Sequence, residues 1–80
     1  MTMTSEQAVA QAVAEGKLGE LLAERDGVQL YRLFLGAAYM PLYYKLKDGV
    51  PYSIREYSIS DTSRREAVRL MGFSPEDRVR

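Results

Sequence analysis

The chain has 80 residues, 46% of them hydrophobic and 28% charged, with neither histidine nor cysteine. That length allows one domain, residues 1–80, and the balance belongs to a folded domain rather than a disordered tail. No disulfide can brace it, no thiolate can act in it, and the commonest general base and metal ligand is missing, so we expect no enzyme, no cofactor, no metal and a reducing, cytoplasmic setting.

Eleven basic and eleven acidic groups cancel, but unevenly. Residues 1–27 hold Glu6, Glu15, Glu20, Glu24 and Asp26 against Lys17 and Arg25, and the rest of the chain is basic to the same degree. With no net charge there is no bulk drive toward nucleic acid, and direct nucleic-acid binding is not expected. Met1-Thr2-Met3-Thr4-Ser5 lacks the basic start and apolar core of a signal peptide. The longest uncharged run, Leu33 to Tyr44, is shorter than the ~20 residues that cross a bilayer and contains Gly36 and Pro41, so no membrane partner is expected.

Thr4-Ser5-Glu6-Gln7 has the form of a capping box, and Ala8, Val9, Ala12 and Val13 continue as the apolar stripe of a first helix. Gly16 is expected to end it in a left-handed cap. Leu18, Leu21 and Leu22 do not extend the stripe, so the helix must kink or break near Gly16. The leucines are expected on a second short helix over Lys17–Glu24, before a turn at Asp26-Gly27. Val28 to Leu35 is nearly all apolar and predicts a strand covered on both faces, although a helix ended by Pro41 fits the spacing too.

A hairpin is expected around Asp48-Gly49. A loop of these two residues alone pairs Lys45 with Tyr52 and Tyr44 with Ser53, mixing the faces. A three-residue loop, Lys47-Asp48-Gly49, pairs Leu46 with Val50, Tyr44 with Tyr52 and Leu42 with Ile54, and sorts every apolar residue to one face. After Asp61-Thr62, a box of Ser63 and Glu66 opens a last helix with Ala67, Val68, Leu70 and Met71 as its apolar side. Gly72 is its expected cap, with Phe73 packing back on Val68, and Ser74-Pro75-Glu76-Asp77 begins one more turn. The expected architecture is α+β: an N-terminal helix broken near Gly16, a three-stranded antiparallel meander and a C-terminal helix, with the helices on one side of the sheet.

All six tyrosines lie between residues 31 and 57. The three-residue register places Tyr43, Lys45 and Arg55 on the outer face, with Tyr39 and Tyr57 beside them. Tyrosine and arginine on an open face are residues enriched at binding hot spots, and tyrosine also stabilises strands simply by packing across them. Arg65 and Arg69 share a helix face at i and i+4, flanked by Arg64, as a solvated surface or as an anchor for acidic groups. The expected function is protein binding, by a monomer or a homodimer.

The stretch Glu66-Ala67-Val68-Arg69-Leu70-Met71-Gly72-Phe73-Ser74-Pro75-Glu76-Asp77-Arg78-Val79-Arg80 resembles half of a helix-turn-helix, with small Ala67, turn Gly72, cap Ser74 and Val79-Arg80 in the second helix. That resemblance implies a DNA-binding accessory protein reading bases with the helix after Gly72. In size and layout, a very small cysteine-free α/β domain with an aromatic and basic face, the chain also resembles phage inhibitors of bacterial immunity such as anti-CRISPR proteins. That resemblance implies a steric inhibitor in the host cytoplasm, seated on a nucleic-acid or nuclease site of a protein complex such as a CRISPR effector.

Overall fold

The computed structural model describes residues 3–36, 40–57 and 64–79. Within them the chain forms α1 (Ser5–Ala14), β1 (Glu20–Arg25), β2 (Val28–Leu33), β3 (Leu42–Lys47), β4 (Val50–Glu56) and α2 (Arg64–Leu70), then a single 3-10 turn at Pro75–Asp77. The strands make one antiparallel sheet in chain order. The fold is α+β, as expected, but the meander has four strands rather than three. No helix of the described residues is long and apolar enough to cross a membrane.

Local chemistry sets the ends of α1. The Gln7 N–H donates to the Thr4 hydroxyl at 3.1 Å, and the Thr4 N–H donates to the Gln7 side chain at 2.9 Å, completing the capping box. At the other end Gly16 donates to the Val13 carbonyl at 3.1 Å and Lys17 to that of Ala12 at 2.8 Å, a Schellman ending. Beyond it, the expected helix over Lys17–Glu24 is instead an irregular stretch, 17–19, and β1. Leu21 joins one core and Leu22 the other, which a strand achieves by pointing neighbours to opposite faces. Entry into β1 is tight at Gly19, whose φ is +99° and where a Cβ would stand 2.4 Å from the Arg32 carbonyl oxygen. Only glycine fits there.

Asp26-Gly27 and Asp48-Gly49 are both two-residue turns with positive φ at each position, the type I′ geometry that matches the twist of a hairpin. The three-residue loop at Lys47 is therefore corrected: Lys47 pairs with Val50, and Lys45 with Tyr52. The face mixing this should cause is repaired further along. A bulge interrupts the register between Tyr43 and Lys45, with Ser53 at φ 52°, after which Tyr43 pairs with Arg55. The extra residue returns Ile54 to the face of Tyr44, while Tyr52 goes with Lys45 to the other.

Each face of the sheet has its own core. On one, Ala8, Val9 and Ala12 of α1 pack on Tyr31, Leu33, Leu42, Tyr44 and Leu46. On the other, Ala67 and Val68 of α2, with Met71 and Phe73, pack on Leu22, Ala23, Leu30 and Tyr43. The helices thus cover opposite faces, not one side. Strand β2 is buried on both, as its apolar run predicts. The Tyr44 hydroxyl donates to the Leu18 carbonyl, its ring stacks on Tyr31 at 5.6 Å, and burial, then the Tyr31 phenol, pushes its pKa up to about 12.

The sheet edges differ. Along β1, Ala23 bridges to Arg78 and the Val79 N–H donates to the Leu22 carbonyl at 3.0 Å. The edge formed by β4 carries Pro51 and the Ser53 bulge.

Candidate functional site

Helix α2 is held by its buried side and by its ending. Ala67, Val68 and Met71 are sealed against the sheet, and Phe73 donates its N–H to the Val68 carbonyl at 3.0 Å in the expected Schellman geometry. Phe73, buried, lies 5.7 Å from both the Arg25 guanidinium and the Lys45 ammonium, within cation–π range. Arg25 also donates to the Gly72 carbonyl at 3.2 Å and pairs with Asp77 at 3.3 Å, tying the first hairpin to the 3-10 turn. At that turn Ser74 Oγ donates to Glu76 at 2.8 Å and to Asp77 at 3.2 Å while Asp77 accepts from the Ser74 N–H, so these polar contacts form a cap.

Two depressions flank α2. Along one side, Leu70 and Gly72 border a shallow groove of about 200 Å³ with Lys45, Ser53, Arg55 and Tyr57. Along the other, a cleft of about 450 Å³ lies between α2 and the 3-10 turn. Its apolar floor is Val68, Phe73 and Pro75, and its charged rim is Arg65, Arg69, Arg78 and Glu66. The Glu66 carboxylate accepts from Arg69 Nε at 3.1 Å and from its Nη2, and these hydrogen bonds, followed by the Arg69 charge, hold it below the usual carboxylate range. Among the described residues neither Arg65 nor Arg78 has an ion-pair partner.

The residues singled out from sequence therefore divide. Lys45, Arg55 and Tyr57 meet in the groove, and Arg65 and Arg69 meet at the cleft. Tyr43 is not on an open face: it is 0% exposed beneath α2, with its ring 5.6 Å from that of Tyr57. The reason is the second helix layer, which closes the face that was expected to be free. Arg64 leaves the arginine cluster as well. It is half-buried and pairs at 3.2 Å with Glu20, which also holds Arg32 at 3.0 Å, so it clamps α2 to β1 and β2. Tyr39, and the Ser63 half of the second capping box, lie outside the described residues.

Sequence reasoning missed Tyr52, Phe73, Pro75 and Arg78 as parts of this surface. Tyr52 was hidden by the bulge. Arg78 could have been found only by knowing that the chain returns to β1. The stretch that a helix-turn-helix would use as its second helix is the one 3-10 turn, followed by extended pairing at Arg78. Searches against protein-family models, curated proteins and solved structures return no match to this chain.

Proposed function

We propose that this protein is a non-catalytic binding module that docks on a carboxylate-bearing protein surface with the face built by α2 and the 3-10 turn. The observation that carries the reading is the gathering of Lys45, Arg55, Arg65, Arg69 and Arg78 around that helix, of which only Arg69 is ion-paired among the described residues. Leu70, 45% exposed, and half-buried Tyr57 supply apolar contact between the cations. An arginine-rich rim around apolar area is a common composition for an interface centre, and a desolvated arginine–carboxylate pair fixes orientation. On the α1 side the exposed residues include Glu6, Gln7, Gln11 and Glu15, which are acidic or neutral rather than cationic.

A steric inhibitor of a bacterial defence complex, of the anti-CRISPR kind and acting in the cytoplasm as a monomer or homodimer, is the concrete form in which we put this proposal. Its support is the small fold together with the cationic face. Affinity capture from bacterial lysate, comparing the wild type with a Lys45→Glu/Arg55→Glu double variant, tests it. A partner recovered by the wild type and lost by a folded double variant is the expected result. Identical recovery by both removes this face from the function. A DNA complex at low salt in a gel shift, weakening steeply as salt rises, would instead favour the DNA-binding alternative.

A further inference from the structure

We infer that the cleft between α2 and the 3-10 turn takes an acidic peptide segment bearing a large apolar anchor. The inference rests on the docking face proposed above and names the chemistry that the larger of its two depressions recognises. The cleft, at about 450 Å³, is larger than the groove on the other side of α2, at about 200 Å³. Its floor is apolar, formed by Val68, Phe73 and Pro75, so water there gains little from its lining and an apolar side chain would displace it favourably. Its rim carries three guanidinium groups and one carboxylate, and that carboxylate is already engaged by Arg69. The remaining cations, Arg65 on α2 and Arg78 beyond the turn, stand on different elements lining the same opening. A chain with carboxylates on both sides of an apolar anchor satisfies floor and rim at once.

Nucleic acid fits less well. Phe73 is 7% exposed and so offers little ring face for a base to stack on, and the rim guanidiniums surround an apolar floor instead of forming a continuous cationic track. Planar, bidentate pairing with isolated carboxylates is what separated arginines do well.

The test uses the full chain and a fluorescein-labelled peptide with a central Leu-Phe pair flanked by aspartates, titrated by fluorescence anisotropy. Saturable binding is expected, weakened by at least about tenfold in Arg65→Glu, as for loss of a charge pair. It should weaken similarly when the peptide's Leu-Phe pair becomes Ala-Ala, and stay unchanged in Lys17→Glu. Circular dichroism keeps the comparison to folded variants. Arg65 is exposed and has no ion-pair partner among the described residues, so its replacement reads the cleft without disturbing the core. Absence of saturable binding overturns the inference, as does equal affinity for the Ala-Ala peptide or for a single-stranded oligonucleotide of equal charge. If the peptide fails while capture from lysate still depends on Lys45 and Arg55, the cleft inference falls and the docking face stands. If both fail, the face falls too.

Discussion

Two tyrosines, adjacent in β3, show how differently the two sides of the sheet are finished. Tyr44 faces α1, stacks on Tyr31 and donates its hydroxyl to Leu18, so every part of it has a partner. Tyr43 faces α2, equally buried, yet its hydroxyl has no hydrogen-bond partner among the described residues. Around Tyr44 the covering helix brings small residues, Ala8 and Ala12, that let it approach the sheet closely. Around Tyr43 the cover is a seven-residue helix, held by its buried face, by the Glu20 clamp on Arg64 and by Arg25 reaching Gly72 and Asp77. The first layer satisfies its buried phenol, and the second keeps Lys45, Arg55, Arg65 and Arg69 at its rim.

The strongest way to break that contrast is Tyr43→Ala. If the α2 layer is a real core, the substitution destabilises by about 3–5 kcal/mol in urea unfolding, the usual cost of removing a buried aromatic ring. A cost below about 1 kcal/mol would mean that this layer barely contributes to folding.

Alkaline titration sharpens the other side. The pKa of Tyr44 is raised in the folded state to about 12. Its contribution is thus fully present below the unfolded value, near 10, and is lost as pH rises through 12; roughly 2–3 kcal/mol should disappear across that window. Unfolding measured from pH 9 upward should show the loss in the wild type and a smaller one in Tyr44→Phe. The two phenylalanine variants at neutral pH give the most direct comparison. Tyr44→Phe should cost about 1 kcal/mol for its lost hydrogen bond, and Tyr43→Phe should be neutral or slightly stabilising. Equal costs would erase the distinction. At the small end, Arg65→Ala should shift stability by less than about 0.5 kcal/mol, because its side chain is exposed and outside any ion pair among the described residues, while lowering peptide affinity.

Much of the fold could be read from caps and turns. Thr4 with Gln7, Gly16, Gly72 with Phe73, and Asp26-Gly27 act through local chemistry that tertiary contacts did not override, whereas at Asp48-Gly49 the place of the turn was legible and its two-residue form was not. Strand β1 was illegible because Glu20-Leu21-Leu22-Ala23-Glu24-Arg25 consists of good helix formers, and its strand state is imposed by pairing with β2 across the Asp26-Gly27 turn. The bulge was illegible for a related reason: Ser53 holds a left-handed conformation that serine does not advertise. Of the site, Arg65 and Arg69 were visible through helical spacing, and Lys45 and Arg55 through strand alternation. Tyr43 was misplaced because alternation says which residues share a face and not whether a helix covers it. Arg78 reaches the cleft only through a backbone return to β1, which no local pattern encodes.

The unequal sheet edges bear on how copies of this protein meet. A bare outer strand is a template for polymerisation, since its free amides and carbonyls recruit further strands. Here one rim is part-occupied by the chain's own Arg78 and Val79, and the other is spoiled by a proline without an amide hydrogen and a kinked serine. Crowded copies are thereby discouraged from stitching backbone to backbone into ribbons.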